Sequence, residues 1–333
     1  MLKGYKYRLH PTPAQEEFLI KTIGCARFIY NKLLEDRIAI REEAKARNGK
    51  LNLDAAFAKF FAGTGGFPAF KSRRRSRASY TTNNQHGTIR IKASKVRLPK
   101  VGFVRFTQHR PFEGVIRSAT VSMTKTGKFF VSLLVKQNDE PWIPAENKVG
   151  IDLGLEHFAV MTNDAMVSEK NENPRFLRKS EAKVKKAQRA LSRKKIGSKN
   201  REKAKLLLAK KHEKITNQRQ DFLHKLSRRI VDENQVIVVE TLKSKDMMQN
   251  HKLAKSIGGV SWYEFVRQLE YKSNFYGRTL IKADPWFAST QICSTCGVKG
   301  EKKTVDVREW TCACGAHHDR DMNASINLLM LAN

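Results

Sequence analysis

The chain has 333 residues, and its 64 Lys and Arg against 32 Asp and Glu give a formal net charge of +32. Such a surplus predicts a polyanionic partner, which is either a nucleic acid or a membrane surface. The sequence contains no apolar run of about 18 residues, the length that is needed to span a membrane. Lys3, Lys6 and Arg8 interrupt the start and argue against a secretory signal, so nucleic acid is the favoured partner. The length suggests about two domains.

The first part of the chain predicts a strand followed by helices. Residues 3–10 alternate tyrosine with basic residues, which predicts a strand that ends at Pro11. Apolar residues recur at helical spacing over residues 18–34, and a charged stretch continues that helix as far as Asn48 and Gly49. Residues 53–61 predict one more short helix.

Between residues 67 and 142 the hydrophobic period changes to two, which predicts a small antiparallel barrel or sheet. The predicted strands are residues 88–91, 101–106, 116–123 and 128–136, with a hairpin turn at Thr126 and Gly127. Basic and aromatic residues alternate at its entrance: Lys71, Arg73, Arg74, Arg75 and Arg77 beside Phe67, Phe70 and Tyr80. This mixture is typical of a surface that binds phosphates and stacks on bases, and a solvated charged loop is the alternative.

The second part begins after a predicted linker that contains Pro141 and Pro144. Residues 149–154, 158–162 and 166–168 predict three consecutive strands, and Asn173 and Pro174 predict the start of a long helical pair. The pair is predicted to break at Gly197 and Ser198.

The helical pair carries much of the positive charge. Residues 175–229 contain 21 Lys and Arg against 4 Asp and Glu, a difference of 17. One face is predicted to be buried through Leu177, Val184, Leu191, Leu206, Leu207, Ile215, Phe222 and Leu226. The opposite face is therefore predicted to bind phosphates, through residues that include Arg189, Arg193, Lys194 and Lys195.

Two predicted buried strands end in an acid, Asp152 and Glu240. A carboxylate in such a place is costly unless it is paired or binds a cation. Asp321, which opens the last amphipathic segment, would add a third oxygen ligand and complete a set that can hold two Mg²⁺ ions about 4 Å apart for in-line attack on a phosphodiester. Each acid taken alone is equally compatible with a turn or an exposed strand end.

The order of the elements along the chain supports a single site that the three acids share. A strand acid, two strands, helices, a second strand acid, a further strand over residues 279–282 and an acid at the last helix follow the order of a ribonuclease H-like fold, in which the acids meet at one edge. Asp319 competes with Asp321, but residues two apart diverge by about 200° on a helix. We therefore favour Asp321 as the ligand and assign Asp319 to the helix start.

Four of the five cysteines form a cluster near the end of the chain, namely Cys293, Cys296, Cys312 and Cys314. Two close pairs separated by 15 residues match a zinc ribbon, a closed structural site for one Zn²⁺. The second pair has one intervening residue where two are usual, so His317 is an alternative ligand. The two histidines His317 and His318 are otherwise expected to contact phosphate or to pack.

Two further predictions concern the fifth cysteine and three tryptophans. Cys25 is predicted to be a free buried thiol, which with the cluster favours a reducing, cytoplasmic compartment. Trp262, Trp286 and Trp310 are predicted to pack in the core.

The chain resembles TnpB, a family of transposon-encoded RNA-guided DNA nucleases that is related to the compact type V CRISPR effectors and carries a RuvC-like domain. The resemblance covers nearly the whole chain. It rests on residues 150–154 (GIDLG), 238–242 (VVETL), 250–254 (NHKLA), 268–272 (QLEYK), 293–297 (CSTCG), 319–324 (DRDMNA) and 66–72 (GFPAFKS).

The resemblance implies a multidomain α/β layout. It comprises a wedge-like β-barrel (1–10 and 67–141) with an inserted helical recognition lobe (11–66), a linker (142–147), a ribonuclease H-like RuvC nuclease (148–288 and 316–333) and a zinc-ribbon insert (289–315). It also implies that Asp152, Glu240 and Asp321 hold two Mg²⁺ ions, with Mn²⁺ as a substitute, and that the cysteines hold one Zn²⁺.

The implied partners are a guide RNA from the transposon end and double-stranded target DNA. The protein would read a short flanking motif while base pairing supplies sequence specificity, inside a prokaryotic cell and on its nucleoid. Three alternatives remain: a guide-dependent repressor without cleavage, which a missing acid would favour; a DDE-type transposase, whose last acid is usually Glu; and a junction resolvase, which needs neither the basic helical pair nor the N-terminal barrel.

Overall fold

The computed structural model describes residues 1–46, 55–138, 143–304 and 306–332. The chain divides into two units, Met1–Glu140 and Pro141–Asn333. The expected end of the first helix at Asn48 and Gly49, and Pro141 of the expected linker, lie outside the described residues. Within the described part, no helix has the length and apolar character needed to cross a membrane.

The first unit is built on a seven-stranded antiparallel sheet with the strand order β2-β6-β7-β1-β5-β4-β3. Its elements are β1 (Leu2–His10), α1 (Pro13–Ala46), α2 (Ala55–Phe61), β2 (Ala78–Asn83), β3 (Arg90–Lys92), β4 (Lys95–Leu98), β5 (Gly102–Thr107), β6 (Val115–Met123) and β7 (Phe129–Lys136). The predicted first strand and the helix that follows it are present as β1 and α1. The predicted hairpin turn before β7 is also correct, since Gly127 takes the positive φ of +80° that such a turn needs.

Alternation along the strands explains the core of this unit. Tyr5, Tyr7 and Leu9 of β1 point inward and are at most 4% exposed, and they share a hydrophobic cluster with residues of β5, β6 and β7. Leu19 and Ile23 of α1 are buried in the same cluster. The helix therefore covers the sheet through a narrow apolar stripe.

The sequence prediction missed two strands of this sheet. β2 has the composition Ala-Ser-Tyr-Thr-Thr-Asn without clear alternation and is specified by its pairing with β6, from Ala78 opposite Met123 to Asn83 opposite Ser118. β4 follows β3 across a tight turn at Ala93, whose φ is +48°. The strand predicted over residues 88–91 lies later in the chain, as β3 (Arg90–Lys92). Directly before it, the backbone N–H of Ile89 donates to Asn84 Oδ1 (2.7 Å) and so does not pair within the sheet.

The second unit contains a five-stranded mixed sheet with the order β10-β9-β8-β11-β12. Its elements are β8 (Asn147–Leu153), β9 (His157–Asn163), β10 (Ser168–Glu172), α3 (Phe176–Ser192), α4 (Lys199–Glu233), β11 (Asn234–Val239), α5 (Ser244–Met247), α6 (His251–Val260), α7 (Trp262–Tyr276), β12 (Thr279–Lys282), β13 (Glu309–Thr311), β14 (His317–Asp319) and α8 (Arg320–Leu329). β8, β11 and β12 are parallel, and β9 is antiparallel to both of its neighbours.

The predicted start of the helical pair is wrong by two residues. Asn173 does not cap a helix; its side chain donates to the Leu155 carbonyl (2.8 Å) and accepts from the Arg175 N–H (3.1 Å), which fixes the loop before the helix. Arg175 takes a left-handed conformation, and α3 begins at Phe176. The predicted break is correct, because Ser198 caps α4 by accepting a hydrogen bond from the backbone of Arg201.

The predicted buried face of this pair is correct only in part. Val184, Ile215 and Leu226 are buried, but Leu206 and Leu207 in the first half of α4 are 39% and 51% exposed. The second half of α4 lies against α7 in the core of the second unit, through Leu223, Leu226 and Ile230. The first half of α4 therefore contributes little to that core.

Helix α8 packs unusually close to strand β8 at Gly150. A Cβ at this position would lie 2.2 Å from the carbonyl oxygen of Ser325 and 2.4 Å from the backbone nitrogen of Leu329. Since both contacts are backbone atoms of a buried helix, no side-chain movement could relieve them. Only glycine allows this approach, which sets how near α8 lies to the sheet.

We predict that Gly150→Ala lowers the free energy of unfolding of the second unit by about 3 kcal/mol, because the helix must move away from the strand. Gly259→Ala is the matched control. Gly259 lies in α6 with open space around its Cβ position, so alanine there should raise stability by up to about 1 kcal/mol. Urea unfolding followed by circular dichroism measures both, and equal stability of the two variants would contradict the close approach.

Candidate functional site

The carboxylates of Asp152 and Glu240 lie at the same edge of the mixed sheet. β8 and β11 are parallel with Ile151 opposite Val239, so the residues that follow these two reach the edge together. The backbone nitrogen of Glu240 donates to the Ile151 carbonyl (3.4 Å), and Glu240 Oε1 accepts from the backbone nitrogen of Leu153 (2.5 Å). These bonds hold Glu240 beside the end of β8.

Asp321 reaches this edge from the first turn of α8. Asp319 is the N-cap of that helix, since its Oδ1 accepts from the backbone nitrogens of Asp321 (3.0 Å) and Met322 (2.9 Å). Asp319 Oδ2 is paired with Lys170 of β10 at 2.6 Å. The assignment of Asp319 to the helix start is therefore confirmed.

The three carboxylates form one electrostatic cluster. Burial, followed by the neighbouring Asp321 carboxylate, raises the pKa of Asp152 to about 7, with Arg320 acting in the opposite direction. Burial and then Asp152 raise the pKa of Glu240 well above its ordinary value, although the Leu153 N–H opposes this. Each ionised acid thus disfavours the ionisation of another, which is the arrangement that a bound cation relieves.

Arginine side chains neutralise Asp321. Its Oδ1 accepts from Arg320 Nε (3.0 Å), and its Oδ2 accepts from one terminal nitrogen of Arg308 (3.2 Å). The other terminal nitrogen of Arg308 pairs with Glu156 at 2.7 Å. Among the described residues, the three acids do not form a set whose ligand atoms all lie within 4.8 Å of one another. Carboxylate oxygens are the ligands that hard divalent cations prefer, and the arginines supply positive charge at Asp321.

The four cysteines do form such a set, with all of their sulfur atoms within 4.8 Å of one another. The Sγ atoms of Cys293 and Cys314 are 3.8 Å apart, and those of Cys296 and Cys312 are 3.7 Å apart. A tetrahedron with metal–sulfur bonds of about 2.3 Å has edges of about 3.8 Å, so the cluster fits a tetrahedral ion such as zinc. The short spacing of the second pair does not prevent both of its sulfurs from reaching the centre.

Two backbone turns bring the sulfurs together. The Gly297 N–H donates to the Cys293 carbonyl (2.8 Å), and the Gly315 N–H donates to the Cys312 carbonyl (2.9 Å). Both glycines have positive φ, +74° and +87°. The second turn closes the hairpin of β13 and β14.

The histidines next to the cluster have different surroundings. His317 is exposed and pairs with Glu309, so the structure does not place it among the ligands. His318 is buried, lies 3.0 Å through Nε2 from Cys293 Sγ, and packs on the Trp310 ring. Burial opposes ionisation of Cys293, but hydrogen bonds from the Cys296 backbone and from His318 outweigh it and lower the pKa of this thiol to about 5.

Two sequence expectations are wrong. Cys25 is exposed rather than buried, because it lies on the outer face of α1. Trp262 is buried as predicted and Trp310 packs in the hairpin, but Trp286 is 82% exposed. Trp286 therefore does not belong to the core.

The predicted basic entrance of the first unit is a loop attached to α1. Asn31 pins it, since its side chain donates to the Lys71 carbonyl (2.9 Å) and accepts from the Lys71 N–H (2.7 Å), while Lys71 Nζ lies over the Tyr30 ring. Arg73, Arg74, Arg75 and Arg77 are exposed, as are Phe67 and Phe70. A cavity of about 440 Å³ lies beside the loop and is lined by residues that include Arg27, Tyr30, Arg77 and Tyr80.

The predicted basic residues of the second unit are exposed around the turn between α3 and α4, namely Arg189, Arg193, Lys194 and Lys195. Arg201 holds this turn, because its guanidinium donates to the carbonyls of Leu191 (3.1 Å) and Lys194 (2.7 Å). These four basic side chains are therefore on the surface, where they can contact phosphates.

The sequence prediction missed three residues of the site: Lys170, Arg308 and Arg320. They are single basic residues in a chain rich in them, so composition could not identify them. His318 packs on the Trp310 ring, which is one of the two roles expected for it, but its contact with Cys293 was not predicted. Arg308 also lines a cavity of about 530 Å³ with Glu156, Phe176 and Lys255, beside the carboxylate edge.

We predict that the metal-free chain loses stability as pH rises. The pKa of Asp152 is about 7 in the folded state and 3.8 in the unfolded state. The contribution of the protonated Asp152 to folding stability is therefore full below pH 3.8 and is lost as pH rises through about 7. Asp152→Asn should therefore be more stable than the parent at pH 8, by up to about 4 kcal/mol, and nearly equal to it at pH 4. Denaturant unfolding in Mg²⁺-free buffer measures this, and the exposed Asp164→Asn is the control. A pH-independent difference would contradict the burial of this charge.

Three family models match different parts of the chain. A family model described as "Probable transposase" matches residues 132–251. A "Cas12f1-like, TNB domain" model matches residues 262–328, and a "Helix-turn-helix domain" model matches residues 1–46, where the structure has β1 and the single helix α1.

Individual relatives cover nearly all of the chain. A Streptomyces pristinaespiralis protein named "Putative RNA-guided DNA endonuclease" is 37% identical over 98% of this chain and 88% of its own length. The Escherichia coli K12 protein named "Putative RNA-guided DNA endonuclease InsQ" is 27% identical over 98% of this chain and 92% of its own. The cryo-EM structure of a Cas12f1-sgRNA-target DNA complex has the same fold, with a TM-score of 0.61 at 12% identity and 98% coverage of both chains. The chain belongs to the TnpB family of RNA-guided DNA endonucleases.

Proposed function

We propose that this chain is an RNA-guided, Mg²⁺-dependent endonuclease of a transposable element that cuts target DNA beside a short flanking motif. The observation that carries the proposal is that Asp152 and Glu240 are buried side by side at one edge of the sheet, with the carboxylate of Asp321 near enough to raise the pKa of both, in a chain of this family. The strand order and the position of the acids support a ribonuclease H-like, RuvC-type nuclease domain within the second unit.

The three carboxylates would hold two Mg²⁺ ions, for which Mn²⁺ could substitute. When bound, such ions activate a water for in-line attack on the phosphodiester and stabilise the leaving oxygen. The protein's own part is positioning. The Leu153 N–H holds Glu240 at the end of β8, the Asp319 cap fixes the first turn that carries Asp321, and burial limits the access of bulk water to Asp152.

Arg308 and Arg320 have a different role in this proposal. They balance the charge of Asp321 when no metal is bound, and their guanidinium groups are well suited to the phosphates of the strand that enters. A phosphate oxygen would accept the hydrogen bond that Arg308 now donates to Asp321, which would leave that carboxylate oxygen available as a metal ligand.

The cysteine module has a structural role in this proposal, as a four-cysteine site for one Zn²⁺. It supports the hairpin that carries Arg308 and leads into α8 through His318 and Asp319. The exposed cations of the two units would bind a guide RNA from the transposon end and its heteroduplex with the target strand by the backbone. The presence of all three acids argues against a nuclease-silent repressor.

We predict that Asp152→Ala lowers the rate of guided DNA cleavage by on the order of a thousandfold, because the metals lose a ligand that contributes several kcal/mol to the transition state. Binding of RNA should remain within about twofold of the parent, since the cations that contact phosphates are elsewhere. Gel assays of cleavage and filter binding of RNA measure the two quantities. The control is Asp164→Ala, an exposed acid in the turn between β9 and β10. Cleavage by Asp152→Ala at the rate of the control would contradict the assignment.

We predict one zinc ion per chain and its loss in Cys293→Ser, because a serine oxygen is a poor substitute for a buried thiolate ligand. The variant should lower the melting temperature of the second unit and expose the hairpin of β13 and β14 to proteolysis. Metal analysis by mass spectrometry and limited proteolysis measure these effects. Cys25→Ser, at an exposed thiol in the first unit, should keep full zinc content. A zinc-free parent chain with a protected hairpin would contradict the zinc site.

A further inference from the structure

The proposed nuclease site does not account for Trp286. This side chain is 82% exposed, although tryptophan is among the residues with most to gain from burial. It follows β12 in the segment that leads to the cysteine module. Its exposure therefore calls for a ligand or a partner at this place in the fold.

The loop that carries Trp286 is firmly attached to the protein. The backbone nitrogen of Trp286 donates to Asp284 Oδ1 (2.7 Å), and the N–H of Phe287 donates to the Asp284 carbonyl (3.0 Å). Phe287 packs on a buried cluster that contains Val238 of β11 and Leu328 of α8. The indole is thus displayed by an ordered turn and does not result from a frayed segment.

The loop also lies at the carboxylate edge. β11 and β12 are parallel with Val239 opposite Lys282, and the Ala283 N–H donates to the Val239 carbonyl (2.9 Å). One residue after Glu240, the Thr241 hydroxyl donates to the Ala283 carbonyl (2.7 Å). Trp286 therefore follows β12 at the same edge at which Glu240 follows β11.

A cation accompanies the indole. Lys243 Nζ lies 4.6 Å from the centre of the Trp286 ring, and Lys243 is three residues after Glu240. Among the described residues, no carboxylate forms an ion pair with Lys243. An exposed ring with an adjacent ammonium group is the combination that binds an unpaired nucleotide, in which the ring stacks on the base and the cation contacts the phosphate.

We propose that Trp286 and Lys243 form a stacking platform for an unpaired base of the single DNA strand that enters the carboxylate site. This proposal rests on the proposed function for the identity of the strand, but the platform itself is a binding property that can be measured without cleavage. Stacking tolerates any base, so the platform would position a strand without adding sequence preference.

The test uses chains that carry Glu240→Gln, so that no DNA is cut, and a fluorescein-labelled 12-mer of deoxythymidine as the probe. Binding is followed by anisotropy at about 0.5 M salt, which weakens phosphate contacts elsewhere on this basic chain. Trp286→Ala should raise Kd about tenfold, as expected for the loss of one stacked base. Trp286→Phe should stay within about twofold of the parent, because it keeps a planar ring. Trp286→Leu should bind as weakly as alanine, because it keeps apolar area alone.

A second measurement locates the contact. A 5-iodouracil in the probe should crosslink to the peptide that contains Trp286 on irradiation, and Lys243→Ala should reduce the slope of log K against log salt by about 0.7. The melting temperature should be unchanged in Trp286→Ala, because the side chain is exposed.

Three results would overturn the platform: an unchanged Kd in Trp286→Ala, rescue by leucine as good as rescue by phenylalanine, or crosslinks confined to residues 175–229. The parent chain separates this proposal from the proposed function. Guided cleavage with an unchanged Kd in Trp286→Ala refutes only the platform, whereas a tenfold effect on Kd without any guided cleavage by the parent refutes only the nuclease.

Discussion

The packing of α8 on β8 at Gly150 is the contact on which the rest of the site depends. Gly150 precedes Asp152 by two residues on the strand, and Ser325, whose carbonyl it meets, lies one turn after Asp321 on the helix. The distance between strand and helix therefore sets the distance between two acids. A buried hydrogen bond between the Ser325 and Thr162 hydroxyls (2.5 Å) fixes the same helix to β9.

The same helix connects the acids to the cysteine module. Asn323 and Asn327 of α8 both donate to the Ile292 carbonyl (2.8 and 2.7 Å), directly before Cys293. Arg308 lies at the base of the hairpin that carries Cys312 and donates a hydrogen bond to the Asp321 carboxylate. Loss of order in the cysteine module would thus change the charge balance at the acids, although the module contributes no metal ligand to them.

The parts of this structure that follow from local rules were predictable from sequence. Asp152 and Glu240 end apolar runs, and the parallel pairing of those runs brings them to one edge; four cysteines in two close pairs predict a cluster whatever surrounds them. Tertiary contacts decided the rest. β2 forms through its pairing with β6, and the side chain of Asn173 fixes a loop instead of capping a helix. Phe287 packs on the buried cluster, whereas its neighbour Trp286 is exposed. Residue type alone does not distinguish these outcomes.

Reprogramming of the cut is the most direct test of the account. The chain would be purified from cells that also carry its native flanking DNA, and the RNA that co-purifies would be sequenced. We predict one discrete RNA with a variable end, and exchange of that end should move Mg²⁺-dependent cleavage to the matching DNA. A heterogeneous RNA population that salt removes, with cleavage indifferent to its sequence, would contradict guided cleavage and leave the charge of +32 as general affinity for nucleic acid.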